Sequence, residues 1–289
     1  MEHIGESLAI GQPAHLATLS SPERIKVICE TCKQEFDTFL YKGKPSYTLC
    51  QKCRAEEWRK QELQKVEAEL PQATEEQRDL WFEKCGISCK FADKTFDNFA
   101  QRLQPLAFKV MSSYIYTSVL LLSPDLYGVG KTHLLAALAH KILNTQIPVV
   151  ITEYNHIQLR SCPVLYTTET QLLARIRRTY DNRGVDSETE YDIYSELENI
   201  EHLLIDDVGK VRPRDYSFLQ GVYFRIIDTR YTNEMPIVIT TNLGFSDLEA
   251  HIGGACADRL REMCGQNIIK MAGKSYRAKE ITHGKIQQR

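Results

Sequence analysis

Val119-Leu120-Leu121-Leu122 runs directly into Ser123-Pro124-Asp125-Leu126-Tyr127-Gly128-Val129-Gly130-Lys131-Thr132. Four apolar residues bounded by turn formers read as a buried strand. A glycine-rich turn follows, and Lys-Thr then opens a helix. Strand, Gly-rich turn and helix N-terminus together make a nucleotide phosphate site. Backbone N–H groups of the turn cradle the phosphates, and the helix dipole favours their charge. In this pattern Lys131 reaches the β- and γ-phosphates and the Thr132 hydroxyl holds Mg²⁺. Gly128, Val129, Gly130, Lys131, Thr132 and His133 form the expected ATP contact set. The pattern wants glycine at 125, where this chain has Asp125. Aspartate tolerates left-handed backbone better than most residues, at a cost of about 1 kcal/mol.

The apolar pattern continues downstream. Lys131–Asn144 presents Leu134, Leu135, Leu138 and Ile142 on one helical face. Val149–Thr152 and Val164–Thr167 read as strands, while 153–163 is polar and has no clear assignment. Thr168-x-x-Gln171 caps a helix running through Tyr180. Leu203-Leu204-Ile205-Asp206-Asp207 is a buried strand ending in two carboxylates, and Ile237–Thr241 is a strand followed by Asn242. Alternating strands and helices predict an α/β fold with a mainly parallel sheet covered on both faces. Such sheets bind ligands at the carboxyl ends of their strands. The glycine-rich turn, Asp206, Asp207 and Asn242 all fall at such ends. Asp206 is expected to hold Mg²⁺, and Asp207 to orient or deprotonate the attacking water. Asn242 is expected to fix that water or the γ-phosphate.

The chain has 289 residues, 43% of them hydrophobic, a formal charge of -2 and nine cysteines. That length suits about two domains. The charge excludes a broadly basic nucleic-acid protein, so any nucleic-acid contact needs a local patch. No apolar run approaches the roughly 18 residues of a membrane span, and no targeting pattern opens the chain. A cytoplasmic protein with no membrane partner is expected, in which cysteines serve as metal ligands or core residues.

Cys29-x2-Cys32 and Cys50-x2-Cys53 have the spacing of a four-cysteine zinc site. Two such turns aim four thiolates at one Zn²⁺. Ile25–Ile28 is strand-like, and 41–45 resembles a hairpin tip. The remaining cysteines, Cys85, Cys89, Cys162, Cys256 and Cys264, are expected to be packing residues. The expected organisation is a disordered tail over 1–22, a zinc-binding module over 23–53, a helical linker over 54–94 and a nucleotide-binding domain over 95–289. Within the linker, Pro71 is expected to stop a first helix, and Thr74-x-x-Gln77 to cap a second. Phe96 and Phe99 are candidates either to wall the adenine or to join the core.

With these pieces in order, the chain resembles the DnaC/DnaI helicase loaders and the IstB transposition ATPases, a branch of the AAA+ superfamily. The resemblance covers roughly residues 95–277. It is carried by Gly128–Thr132, Leu203–Gly209, Asp228-Thr229-Arg230-Tyr231, Thr240-Thr241-Asn242-Leu243, Asp258-Arg259-Leu260-Arg261 and Gly273-Lys274-Ser275-Tyr276-Arg277. It implies an AAA+ P-loop three-layer sandwich without a full lid. It also implies that Arg259 is an arginine finger reaching a neighbour's ATP, so that activity requires self-association, with Arg261 as the rival. Arg277 would sense the γ-phosphate in the same chain. Asp258 and Ala255 depart from the family, where serine and a second arginine are usual. The four-cysteine module resembles that of loaders whose zinc-bearing domain docks on the replicative helicase.

Arg175, Arg177, Arg178 and Arg183, with Tyr180 among them, give the helix after Val164–Thr167 a basic face. Leu172, Leu173 and Ile176 form its buried stripe. Cations for phosphates and a ring for stacking suit single-stranded DNA. In the resembling family this region lines a single-strand channel, and Lys210, Arg212 and Arg214 would add to it. Three readings remain open. One is an ATP-dependent helicase loader acting with single-stranded DNA and a replicative helicase. The second is a transposition ATPase that remodels target DNA and recruits a transposase. The third is a zinc-ribbon adaptor that binds ATP as a switch without hydrolysis.

Overall fold

The structure, a computed structural model, describes residues 23–181 and 187–276. The expected tail over 1–22, Arg183 and Arg277 lie outside them. The chain divides into two units at Ala68/Glu69.

In the first unit, β1 (Arg24–Ile28) pairs antiparallel with β2 (Glu35–Tyr41), and β2 with β3 (Lys44–Pro45). Lys42 (φ 50°) and Gly43 (φ 76°) turn the second hairpin. Two positive-φ residues match the right-handed twist of the flanking strands, which explains so tight a connection.

Helix α1 (Gln51–Lys84) begins in the first unit and ends in the second. It does not stop at Pro71, contrary to expectation. The proline ring removes one N–H and displaces the carbonyl of Glu67. Glu67 is exposed, so water can satisfy that carbonyl. Thr74 is not a cap. Its hydroxyl donates to the Leu70 carbonyl at 2.7 Å, within the helix. Gln77 and the buried Trp81 both donate to the Arg160 carbonyl, at 2.6 and 2.9 Å. These contacts hold the helix past Pro71 against the second unit's own residues.

The rest of the second unit comprises α2 (Pro105–Ser112), β4 (Val119–Leu122), α3 (Lys131–Thr145), β5 (Val149–Ile151), β6 (Ile157–Leu159), β7 (Val164–Thr168), α4 (Glu169–Asp181), α5 (Glu190–Asn199), β8 (His202–Val208), α6 (Ser217–Thr232), β9 (Ile237–Thr241), α7 (Phe245–Ile252), α8 (Gly254–Cys264) and β10 (Ile268–Lys270). The main sheet runs β10-β4-β9-β8-β7, parallel throughout. Alternate residues of its strands feed two cores. Leu120, Leu203, Ile205 and Ile239 pack with α4–α8, whereas Val119, Leu121, Leu204 and Val238 pack with Trp81, α2 and α3. The result is a three-layer sandwich.

β5 is not in this sheet. It pairs antiparallel with β6 as a separate hairpin, which accounts for the unassigned 153–163 segment. Thr168 and Gln171 do form the expected reciprocal cap of α4, at 3.1 and 3.2 Å. Among the described residues, no helix is long and apolar enough to cross a membrane.

Candidate functional site

Ser123 is the first residue past β4, and the turn it opens curls back over the sheet. Asp125 takes the left-handed conformation (φ 56°) that the glycine of the pattern would supply, and its N–H donates to the Asn242 carbonyl at 3.1 Å. Gly128 (φ 72°) and Gly130 (φ 103°) are also left-handed. A side chain on Gly130 would meet the Phe99 ring at 2.8 Å, so glycine is required there for space as well as backbone. The helix α3 then starts at Lys131.

A cavity of about 380 Å³ opens over this turn. It is lined by Gly128, Val129, Gly130, Lys131, Thr132 and His133, together with Asp207, Asn242, Phe99 and Tyr276. Lys131 Nζ donates to Ser123 Oγ and, at 2.6 Å, to Asn242 Oδ1. Asn242 Nδ2 donates to Asp207 Oδ1 at 3.0 Å. One amide therefore joins the lysine of the turn to an acid on β8. Lys210 Nζ lies 3.7 Å from the other Asp207 oxygen.

Asp206 and Asp207 occupy a bulge. The register pairs Ile205 with Ile239 and then Val208 with Thr241, which leaves both acids opposite Thr240 alone. Thr240 Oγ1 donates to Asp206 Oδ1 and accepts the Asp207 N–H at 3.0 Å. Asp207 is left-handed (φ 57°). Bulges re-aim side chains. Here Asp207 lines the cavity, while Asp206 is buried behind it and also accepts from Tyr166 OH at 2.8 Å. Burial next to Asp206 raises the Tyr166 pKa, keeping the phenol protonated as a donor.

Phe99 packs on Phe108 and also lines the cavity, whereas Phe96 meets Phe108 edge-on outside the lining. His133 Nε2 lies 2.9 Å from the Thr95 carbonyl and its ring meets Phe99 edge-on. Burial lowers its pKa, so the ring is neutral and Nε2–H donates. Tyr276 N–H donates to the Gly128 carbonyl at 2.9 Å, which seats the chain immediately before Arg277 over the turn.

Arg259 does not join this cavity. It lies on α8 against α6, paired with Asp228 at 2.8 Å. Arg261 lies over the Phe245 ring, 4.4 Å from its centroid, and 3.8 Å from Asp258. On α4, Leu172, Leu173 and Ile176 are buried as expected. Arg175 is occupied by Glu188 and, at 2.6 Å, by Glu196. Arg177 lies over the Phe218 ring, and Arg178 is exposed.

The sequence offered no signal for Glu169. It is fully buried at the first turn of α4. It accepts from Gly209 N–H (3.1 Å), Val211 N–H (2.9 Å), Tyr223 OH (3.0 Å) and His251 Nε2 (2.7 Å). Burial alone would raise its pKa; the His251 and backbone hydrogen bonds outweigh that and hold it below the usual value. Glu169 thereby fixes the loop that follows the two acids.

In the first unit, the Cys29, Cys32, Cys50 and Cys53 sulfurs all lie within 4.8 Å of one another, with Cys32 and Cys50 3.7 Å apart. Tetrahedral Zn²⁺ with Zn–S near 2.3 Å requires sulfurs about 3.8 Å apart. Cys50 N–H donates to Cys29 Sγ at 3.3 Å. Burial opposes a Cys29 thiolate, but backbone N–H groups of Cys50, Cys32 and Thr31 prevail and bring its pKa down to about 6. The four residues fit a zinc ion. Cys85, Cys256 and Cys264 are buried, as expected; Cys162 is half-buried and Cys89 is exposed, so Cys89 is not a packing residue.

No family profile matches the chain. The replicative helicase loader DnaC of Escherichia coli K12 is 25% identical over 134 residues, 46% of this chain and 46% of that protein. The IS21 insertion-sequence ATP-binding protein of Pseudomonas aeruginosa is 27% identical over 236 residues, 78% of this chain and 74% of that protein. The larger unit is a three-layer α/β sandwich with a glycine-rich turn at the carboxyl end of its parallel sheet. The chain resembles the helicase loaders and the IS21-type ATPases, and spans about half the length of the DnaC relatives it matches. A crystal structure of the DnaC helicase loader superposes with a TM-score of 0.47 at 18% identity, covering 64% of this chain and 98% of that one. DnaA from Aquifex aeolicus gives 0.48 at 18% identity, over 68% and 55%.

Proposed function

We propose that the chain is an ATPase that loads a replicative helicase onto single-stranded DNA. The observation that carries the ATPase part is the hydrogen-bonded path Lys131–Asn242–Asp207 along one wall of the cavity. It links a cation suited to phosphate oxygens to a carboxylate suited to orienting water. The likeness to DnaC supports the loader part.

The chain's own groups divide the work. Backbone N–H groups of Gly128–Lys131 bind phosphate oxygens at the start of α3. Lys131 exchanges its Ser123 and Asn242 partners for the β- and γ-phosphates. Thr132 would hold Mg²⁺ directly and Asp206, buried behind the cavity on Thr240 and Tyr166, through water; the ion would neutralise developing charge on the transferred phosphoryl group. Asp207, fixed by Asn242 and by the bulge, orients the attacking water and accepts its proton. Arg259 reaches a second copy's ATP, so turnover requires assembly, and Arg277 senses the γ-phosphate in its own chain. Arg177 and Arg178 contact single-stranded DNA. The first unit binds zinc and grips the helicase.

A second reading is transposition, in which the chain remodels target DNA and recruits a transposase. The similarity to the IS21 protein over 78% of this chain favours it.

The test is size exclusion with light scattering on a mixture of the protein, ATP and the replicative helicase of its organism, beside a Cys29→Ser/Cys32→Ser variant. A co-eluting complex that needs the cysteines is expected. Absence of a complex in every nucleotide state, with binding to the organism's transposase, would replace loading by transposition.

A further inference from the structure

The outer stripe of α6 holds Arg259 from three sides. Phe224, Asp228 and Tyr231 are spaced by four and three residues, which places them one above another on a helix. The opposite side of α6, with Val222, Tyr223, Ile226, Ile227 and Arg230, is buried in the core. Phe224 is 46% exposed. A large aromatic left in water by its own core invites a local explanation. Arg259 supplies one: its guanidinium carbon lies 5.5 Å from the Phe224 centroid and 5.8 Å from that of Tyr231. Asp228 Oδ1 accepts from Nη2 at 2.8 Å, and the Ala255 carbonyl accepts from Nη1 at 3.2 Å. Tyr231 is itself fixed by its hydroxyl, which donates to Glu262 at 2.9 Å.

Two rings, a carboxylate and a carbonyl leave the guanidinium little freedom, although its side chain remains 30% exposed. An isolated exposed ion pair adds little to stability, too little to explain four partners around one arginine. Such an arrangement suits a cation whose direction matters. A planar guanidinium gains bidentate contact with phosphate only when its plane is set in advance.

We propose that Asp228, with Phe224 and Tyr231, is a positioning device that sets the Arg259 guanidinium for the nucleotide of a second copy of this chain. The inference rests on the reading of Arg259 as a finger acting between copies. Asp228 touches neither the nucleotide nor the reacting atoms; it acts through Arg259.

A mixing experiment separates the two. Lys131→Ala lacks its own phosphate lysine but offers Arg259; Arg259→Ala keeps its own site but lacks the finger. Assembly of each mixture is followed by light scattering and folding of each variant by its Tm. Equimolar mixing is expected to raise ATP turnover well above either variant alone. Adding Asp228→Ala to the Lys131→Ala donor is expected to lower kcat of the mixture about tenfold with KM unchanged. Adding Asp228→Asn instead, which keeps the acceptor oxygen, is expected to restore kcat to within about threefold. An active mixture indifferent to Asp228→Ala would overturn the positioning role and leave the finger intact. An assembled mixture with no added turnover would remove the finger reading, and this proposal with it.

Discussion

Lys131 and Asn242, 111 residues apart in the chain, are joined by a 2.6 Å hydrogen bond across the carboxyl ends of β4 and β9. The parallel pairing of those strands sets Leu122 opposite Thr241, so the turn that leads to Lys131 starts beside Asn242. The bond polarises the amide so that its Nδ2 is a better donor to Asp207. Lys131 and Asp207 are thus linked through a single amide.

Asn242→Ala is therefore expected to leave ATP affinity within a few-fold and lower kcat by about 10²–10³, the usual effect of losing one preorganised donor. Lys131→Ala should instead lose nucleotide binding itself. Fluorescent-nucleotide titration beside steady-state turnover distinguishes the two. Equal loss of affinity in both would show that Asn242 acts only by holding Lys131.

Thr240 holds both members of the bulge through one hydroxyl. Thr240→Val keeps shape and removes the donor to Asp206 and the acceptor for Asp207 N–H. Stranding two buried polar groups should cost on the order of 1–3 kcal/mol each. A lower urea midpoint with unchanged m-value is expected, with lower kcat because Asp207 loses its aim. Thr240→Ser should recover both. A Val variant of normal stability would mean the bulge is held by other contacts.

The parts of this site that could be read from sequence are those whose signal is local. Gly128–Thr132 announces itself by glycine spacing, Asp206-Asp207 and Asn242 by their place after apolar strands, and the four cysteines by interval. What escaped depends on distant partners. Pro71 reads as a stop because nothing nearby reveals Gln77 and Trp81 meeting the Arg160 carbonyl. β5 reads as a member of the parallel sheet because its apolar run is alike in either setting. Periodicity says nothing of the bulge that turns Asp206 inward and Asp207 outward. A basic helix face likewise conceals that Arg175 belongs to Glu188 and Glu196.

His202 gives the fold a pH dependence with a defined window. Burial lowers its pKa to about 4, and its ring nitrogens lie 3.0 Å from Tyr114 OH and 3.1 Å from Gln146 Nε2. Gln146 Nε2 donates, so the neutral ring accepts there and donates through Nδ1. The unfolded chain takes up a proton near pH 6.5 and the folded chain only near 4, so acid favours unfolding. The contribution is complete above about pH 6.5 and is lost progressively down to about pH 4, the total loss being about 3 kcal/mol. Chemical denaturation at several pH values should show this slope, and His202→Gln should flatten it. An unchanged slope in the variant would assign the acid sensitivity elsewhere.

The cations of α4 should divide by what they already hold. Arg175 is half committed to the fold by two carboxylates, while Arg178 is exposed and Arg177 lies over the Phe218 ring, 5.1 Å from its centroid. An arginine that neutralises a phosphate releases a counterion, and each such contact on single strands adds about 0.7 to the slope of log K against log salt. Arg177→Ala and Arg178→Ala are each expected to weaken binding to a labelled oligonucleotide and to lower that slope by about 0.7, without loss of stability. Arg175→Ala should instead lower the Tm, by releasing Glu188 and Glu196 from their partner, and leave the slope unchanged. A reduced slope with an unchanged Tm for Arg175→Ala would mean that it gives up its carboxylates to the nucleic acid. Three unchanged slopes would move the single-strand contact away from α4, to the neighbouring loop that carries Lys210, Arg212 and Arg214.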